Sequence, residues 1–493
     1  MRNNCSVLAP GFSNRCEMIG RFFGLPVGIL AATMLVPLSC AFFLNEQDAL
    51  IGFLIAVLIS AFYAVIVLLA LQNKNDNIGR KGRGAIFLRL STFWFLLPIF
   101  AAIPFAMSGE LDVASSYFES VSGFTTTGAS VIDSPHQIAR SLLLWRSLLQ
   151  WLGGLSSLII IAAFLLPLKL IEMGEGTPVS SNKGDTSISL EHITLMLLVP
   201  YGGLTLVCFM ALLASNLSTF HALCMSLSLI STGGFISSDA LEPNLFGKII
   251  MVLFMLLGAV NFSYLCAISR GNFRFSRTAS ELRLLLCLWL FAALLLSISF
   301  YDNSMGRWVE SVGAGLFVAA SLLSTTAITS FDVATDYSVP LPLLLLLPVM
   351  GGCCFSTAGG IKLARILLVT RHSWRELEKL IHPSGVVPIR GDIGAPGMRT
   401  IWAYFGVFFV CLGIGASLLS FSGVAFLPAL ASATGALSNA GAMLHYLDST
   451  TLGEHSYDDV TLLGKSVLIF LMVAGRVEIL LLLGLFLPAY WRT

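Results

Sequence analysis

Apolar runs of about 20 residues, long enough to cross a bilayer as a helix, recur at 22–44, 50–71, 88–107, 143–167, 192–214, 247–268, 282–300, 340–369, 401–422 and 462–488. They predict ten spanning segments. Four shorter, half-apolar stretches lie among them, at 112–124, 217–230, 311–324 and 426–437. Each is too short to cross, and each closes on a cluster of small polar residues and glycine that disfavours a helix interior. Backbone that stops at mid-depth must face protein or water, because lipid offers it no hydrogen bonds. The short stretches are therefore read as re-entrant segments buried in protein.

After two leading spans, the unit span, re-entrant stretch, span occurs four times. The ends of the short stretches align as Thr125-Thr126-Thr127-Gly128-Ala129, Ile230-Ser231-Thr232-Gly233-Gly234, Ser324-Thr325-Thr326-Ala327-Ile328 and Ser438-Asn439-Ala440-Gly441-Ala442. Their fourth positions are 128, 233, 327 and 441, a period long enough to be a structural unit. The expected fold is an all-α integral membrane protein. Four pseudo-symmetric membrane–pore–membrane units surround one central pore, and two extra transmembrane helices precede them. The expected division is 1–87 for the N-terminal pair, then pore units at 88–190, 191–278, 279–399 and 400–493.

Composition agrees: 56% of residues are hydrophobic and 11% charged, against about 25% charged in soluble domains. Met1 to Arg21 is mixed and polar, and the run that follows is too long for a signal peptide, so the first span is expected to persist. With the N-terminus cytoplasmic and the short stretches dipping in and returning, 22 of the 28 Lys and Arg face the cytoplasm, mainly in the loops 72–90, 168–191, 269–283 and 370–399. That is the positive-inside pattern. The opposite face is acidic, with Glu46, Glu110, Asp133 and Asp458 among its residues. Such a face concentrates cations, although ordinary surface charge reads the same way. The ten cysteines form no CxxC pair and read as small buried hydrophobes.

Four re-entrant ends meeting at one axis bring together backbone carbonyls that can replace the hydration shell of a monovalent cation. Glycine suits such a strand because it reaches positive φ and lets successive carbonyls align. A single Thr-Thr-Thr-Gly is weak, since small polar residues also mediate helix contacts in membranes. Four copies in one orientation carry far more weight.

The stretches SVSGFTTTGAS (120–130), WRSLLQWLGG (145–154), SLISTGGFISSD (228–239), GGCCFSTAGGIKLARILL (351–368) and AGRVEILLLLGLFLPAYWR (474–492) resemble the Trk/Ktr/HKT superfamily of potassium transporters. The likeness is greatest to the bacterial TrkH and TrkG type, whose two leading spans and IGRKGR (78–83) also fit. The resemblance covers essentially the whole chain. It implies K⁺ as the transported ion, with no covalently bound cofactor, and a bacterial inner membrane location. It implies a filter at Thr126, Thr127 and Gly128; Ser231, Thr232 and Gly233; Thr325, Thr326 and Ala327; and Asn439, Ala440 and Gly441. It also implies a soluble, nucleotide-binding TrkA-type ring as cytoplasmic partner, and a homodimer. Nothing suggests a nucleic-acid partner. Ala327 departs from the usual glycine, so either its carbonyl is oriented differently or local strain is tolerated. Within the superfamily, a non-glycine residue at a filter position can accompany Na⁺ permeation.

The eighth span is broken by composition. Gly351, Gly352, Ser356, Thr357, Gly359 and Gly360 make a uniform helix there unfavourable. Irregular backbone at membrane depth is tolerated where it lines a cavity. A close glycine-mediated helix contact is the competing reading, and the resemblance favours a gate loop at 351–360. Arg476 and Glu478 are intramembrane charges that cannot face one another at that spacing. Arg476 is read as facing the pore below the filter, where it repels cations or binds gate-loop carbonyls, or else as half of an ion pair between helices. Glu119 is expected to support the first pore stretch, Arg146 to lie at the interface and Lys362 to snorkel to the cytoplasmic side.

No HExxH, GxSxG or phosphate-cradling GxxxxGK[ST] occurs, so no enzyme activity is expected. The alternatives are Na⁺ or mixed Na⁺/K⁺ passage and, from another class, a carrier of a small organic solute. Carriers often contain inverted repeats, whereas these four units share one orientation.

Overall fold

Long apolar runs with few breakers satisfy their backbone internally as helices. The computed structural model describes residues 10–70, 83–165, 190–237, 243–269, 279–303, 308–328, 339–382, 395–446, 456–477 and 479, and they contain helices and no strands. The helices are α1 (Pro10–Leu44), α2 (Gln47–Ala70), α3 (Arg83–Met107), α4 (Val113–Phe124), α5 (Arg140–Ile160), α6 (Leu190–Ala214), α7 (Thr219–Ser231) and α8 (Leu245–Ala259). They continue with α9 (Phe262–Ser269), α10 (Ala279–Asn303), α11 (Trp308–Leu323), α12 (Leu341–Met350), α13 (Leu363–Ile381), α14 (Ala395–Phe421), α15 (Phe426–Ser438) and α16 (Leu462–Val477). Seven are long and apolar enough to cross a membrane. Large apolar side chains such as Phe43 and Phe62 stay exposed on them, as expected of a chain whose solvent is lipid.

The four short stretches appear as α4, α7, α11 and α15, within three residues of their expected bounds. Three of the ten expected spans read differently. The run 247–268 is two helices, because the chain turns extended at Val260 (φ −74°, ψ 152°) and Asn261 starts a new helix by accepting from the Ser263 amide at 3.0 Å. Asparagine favours this capping position over a helix interior. The run 340–369 is broken, as its glycines predict, between α12 and α13. The last span is described to Val477 and again at Ile479, so Glu478 lies outside the described residues, as does nearly all of IGRKGR. In addition, α1 begins well before residue 22, and α13 carries the helix into the expected loop 370–399 as far as Ile381.

The chain divides into two compact units. The first holds α1–α3, most of α4 and residues 137–145. In it Glu46 is not a free surface charge: its carboxylate accepts from the amides of Arg140 and Ser141, at 2.8 and 3.1 Å, and caps the N-terminus of α5. The second unit holds residues 122–136 and the described chain from Arg146 onward. Its core is a cluster that includes Tyr201, Met255, Phe262 and Phe355. All four re-entrant ends belong to this unit.

Candidate functional site

Each pore helix ends at a residue in the left-handed region: Thr126 (φ +56°), Thr232 (+53°), Thr325 (+60°) and Asn439 (+54°). A left-handed residue closes a helix by letting the next amide reach back to an orphan carbonyl. Thr127, Gly233 and Ala440 do so, bonding the carbonyls of Ser122, Ser228 and Gly435. This common geometry defines three rows. The first is Thr126, Thr232, Thr325 and Asn439; the second is Thr127, Gly233, Thr326 and Ala440; the third is Gly128, Gly234, Ala327 and Gly441.

The rows correct the sequence alignment of loop 2 by one residue. Ser231 is the last residue of α7, its hydroxyl turned back to the Leu227 carbonyl at 2.8 Å. The left-handed glycine of that loop is Gly234 (φ +82°), the counterpart of Gly128 (φ +78°), and Gly233 is not at positive φ. Two adjacent glycines cannot be ranked from sequence, because only the backbone shows which one turns. Ala327 resolves its own ambiguity by adopting the left-handed conformation, φ +54°, like the glycines beside it. Gly441 is absent from the positive-φ residues. Its missing side chain serves close approach instead, since a Cβ there would lie 2.6 Å from the Ala129 Cβ.

The loops touch in sequence around a ring. A Cβ on Gly128 would lie 2.2 Å from the Gly233 carbonyl oxygen, and one on Gly234 would lie 2.2 Å from that of Thr326. The Thr127 carbonyl accepts from the Gly441 amide at 2.6 Å. Tyr446 joins loops 3 and 4, donating to the Ile328 carbonyl at 2.5 Å. Second-row carbonyls of loops 1, 2 and 3 thus lie against the adjacent loop. First-row carbonyls differ. Those of Thr126, Thr232, Thr325 and Asn439 belong to buried residues and accept no hydrogen bond among the described residues.

Glycines on the second spans bring helices against these ends. A Cβ on Gly153 would lie 1.8 Å from the Phe124 carbonyl, on Gly475 2.2 Å from that of Leu437, and on Gly258 3.3 Å from that of Ile230. Each of these carbonyls is two residues before a left-handed residue, so one contact is repeated in three units.

The 351–360 loop is buried against the ends of three pore helices. The Thr357 hydroxyl lies 3.0 Å from the carbonyls of Ile230 and Gly258. The Gly359 amide donates to the Thr325 hydroxyl at 2.8 Å, and a Cβ on Gly359 would lie 1.9 Å from the Ser438 carbonyl. Gly351 (φ +67°) and Gly360 (φ +74°) turn the chain in and out, with a Cβ on Gly351 meeting the Gly359 carbonyl at 2.2 Å. Gly352 is equally confined, and the Ser356 hydroxyl donates to the Cys353 carbonyl at 2.6 Å. Arg476 donates to the Thr357 carbonyl at 2.7 Å and to the Ser157 hydroxyl at 2.8 Å. Of the roles open to it from sequence, these contacts match the binding of carbonyls in the 351–360 loop.

Two charges sit elsewhere than expected. Lys362 does not snorkel outward: its ammonium turns back to the carbonyls of Ala358 and Ser356, inside the loop it follows. Arg146 is not interfacial but buried, 2.8 Å from the Ser130 hydroxyl and 4.1 Å above the Phe235 ring. Glu119 is fully buried.

Sequence reasoning missed several residues. Asn261 breaks the span that faces the 351–360 loop, and the Phe262 amide donates to the Phe355 carbonyl at 2.6 Å. Buried Glu281 accepts from the Cys354 amide at 3.2 Å. Tyr457 holds the Gly441 carbonyl at 2.7 Å. Gln150 donates to the Gly233 carbonyl at 2.5 Å. Only Gln150 left a usable signal: with Arg146 and Gly153 it follows the i, i+4, i+7 spacing of one helix face.

Comparison with known proteins agrees with this architecture. Residues 57–492 match the family model TrkH, described as a cation transport protein. The Trk system potassium uptake protein TrkH of Vibrio parahaemolyticus is 30% identical over 96% of this chain and 99% of the relative. The TrkH of Halomonas elongata is 28% identical over 97% and 99%. Escherichia coli TrkG is 27% identical over 98% and 100%. The crystal structure of the potassium transporter TrkH from Vibrio parahaemolyticus superposes with a TM-score of 0.84 at 27% identity, covering 97% of this chain and 99% of that one. A ring of four equivalent loops, a buried loop against it and a match over most of the length have one explanation: the chain belongs to the TrkH family of cation transport proteins.

Proposed function

We propose that this protein is a channel-like K⁺ uptake subunit of a bacterial inner membrane, with its N-terminus in the cytoplasm. The observation that carries the reading is the first row of carbonyls, at Thr126, Thr232, Thr325 and Asn439, buried and without a donor among the described residues. An unpaired buried carbonyl is destabilising. A cation that sheds its hydration shell satisfies several at once. The ion is cargo here, not a resident cofactor. The relatives' names, Trk system potassium uptake proteins, support K⁺ as that cargo. Second-row and third-row residues, including Thr127, Gly233, Thr326, Ala440, Gly128, Gly234, Ala327 and Gly441, complete the filter by fixing the spacing of the loops.

The 351–360 loop is the gate in this reading. It is anchored to pore-helix ends by Thr357 and Gly359 and to Arg476 through the Thr357 carbonyl. Those bonds are few and directional, so a shift of the loop exchanges them together. The basic segments at 72–90, 269–283 and 370–399 are the proposed docking surface for a TrkA-type nucleotide-binding ring, with two copies of the chain forming the membrane dimer. Ala327 supports a second reading, Na⁺ or mixed passage, because it is the one third-row position that is not glycine.

Flux of K⁺, Rb⁺, Na⁺ and Li⁺ from vesicles containing the purified protein tests the proposal. K⁺ and Rb⁺ should pass well ahead of Na⁺ and Li⁺, and equal K⁺ and Na⁺ rates would reject a potassium filter. Deleting 353–358 should raise flux through folded protein. An unchanged rate would remove that loop from the gate.

A further inference from the structure

The second filter loop lacks a side chain that its neighbours use. In loop 1 the hydroxyls of Thr125 and Thr127 pair at 2.7 Å, and in loop 3 those of Ser324 and Thr326 pair at 2.8 Å. The corresponding positions in loop 2 are Ser231 and Gly233, and Gly233 has nothing to offer. The space is nevertheless filled. A Cβ on Gly233 would lie 2.3 Å from Gln150 Cδ, 2.4 Å from its Oε1 and 2.7 Å from its Nε2. The amide of a residue on α5, in the first repeat, occupies the volume of the absent threonine. Its Nε2 donates to the Gly233 carbonyl at 2.5 Å, and the side chain is fully buried. The assignment of nitrogen and oxygen is forced, because only the nitrogen can donate to a carbonyl.

We propose that Gln150 is a specificity-determining positioning residue, acting as the missing side chain of the second filter loop. Three features of α5 support it. Arg146, Gln150, Gly153 and Gly154 lie on one helix face. Arg146 reaches Ser130 of loop 1 and Phe235 of loop 2. Gly153 and Gly154 bring the helix against Phe124 and Ser231, where a Cβ would lie 1.8 Å and 3.1 Å from the nearest atoms of those residues. The WRSLLQWLGG stretch is thus a template for two adjacent loops, and Gln150 holds a filter carbonyl from it. A donor on a carbonyl fixes its direction and withdraws charge from its oxygen. The Gly233 peptide, and with it the first-row carbonyl of Thr232 just before it, is therefore held by a bond that loop 3 lacks, since the Thr326 carbonyl has no donor among the described residues, and the spacing of the ring depends on Gln150.

This inference rests on the loops forming the filter, and its test separates the two. Vesicle flux of K⁺, Rb⁺ and Na⁺ is measured for wild type, Gln150→Met, Gln150→Glu, Gly233→Thr and the double variant Gln150→Ala with Gly233→Thr. Methionine keeps the length and loses the donor. Loss of one hydrogen bond should change the K⁺/Na⁺ flux ratio about threefold to tenfold. Gly233→Thr alone should abolish flux, because the threonine collides with Gln150. The double variant should recover flux, since it rebuilds the hydroxyl pair of loops 1 and 3 in loop 2. A wild-type ratio in Gln150→Met, or a double variant no better than Gly233→Thr alone, would overturn the role of Gln150 while leaving the filter intact. A wild-type protein that fails to discriminate K⁺ from Na⁺ would overturn the filter reading and this inference with it. Should Gln150→Glu not assemble, the methionine and double variants decide the matter.

Discussion

At Gly128 and at Ala327 the backbone makes the same turn, with φ of +78° and +54°. The two loops reach it by different means. Loop 1 has glycine where a Cβ would lie 2.2 Å from the Gly233 carbonyl, so both space and conformation demand it. Loop 3 has an alanine in a region that is unfavourable for L-residues by about 1–2 kcal/mol. Its surroundings offset that strain. The Ala327 amide bonds the Ser321 carbonyl at 3.0 Å, and the next carbonyl, of Ile328, accepts from the Ser321 and Tyr446 hydroxyls at 2.7 and 2.5 Å. One loop is shaped by what it omits and the other by what holds it.

The sharpest way to break this contrast is to add a methyl group behind loop 1. In Gly153→Ala the Cβ meets the Phe124 carbonyl, which is backbone and cannot swing aside. Overpacking of this kind costs about 1–3 kcal/mol or more, and it should appear as a large loss of folded protein in detergent by size-exclusion and thermal unfolding. Next comes Gly128→Ala, which should fold but conduct K⁺ about tenfold less in vesicle flux, combining left-handed strain with the contact to loop 2. Tyr446→Phe should lower stability by about 1 kcal/mol through the lost bond to Ile328, measured by thermal unfolding, and should reduce K⁺/Na⁺ discrimination. Ala327→Gly should have the smallest effect, with K⁺ flux within about twofold of wild type, because glycine accepts the same φ without strain. Combined with Tyr446→Phe it should restore part of that variant's loss of discrimination, since a glycine needs no prop. If Ala327→Gly instead changed the ion preference strongly, loop 3 would be tuned by its alanine and not merely tolerant of it.

The second comparison lies between the two broken helices that face one another. The break at 351–362 was legible because four glycines in ten residues are a strong helix-breaking signal. The break at Val260–Asn261 was not, because a single asparagine inside an apolar run is tolerated in many helices. What makes it a break is the partner segment: Ala259 and Phe262 exchange hydrogen bonds with Cys353 and Phe355. Charges were equally resistant. The position of Lys362 next to a predicted cytoplasmic end suggested snorkelling, yet the ammonium finds the Ala358 carbonyl inside the protein. Several roles stayed open for Arg476, and only the tertiary structure shows its contact with the Thr357 carbonyl.

Local chemistry and period therefore determined the helical class, the four short stretches, the repeat and the position of the glycine-rich break. These depend on apolar run length and on residues that cannot continue a helix, and both are properties of neighbours along the chain. The tertiary structure alone decided the register of loop 2, the conformation of Ala327, the contact of Gln150 and which loop carbonyls find a donor. Those depend on atoms far apart in the chain, 83 residues for Gln150 and Gly233 and 118 for Tyr446 and Ile328, approaching within hydrogen-bond distance. Gly234 and not Gly233 makes the turn, a glutamine on another helix fills the space beside Gly233, and no local pattern in the loop records that it is there.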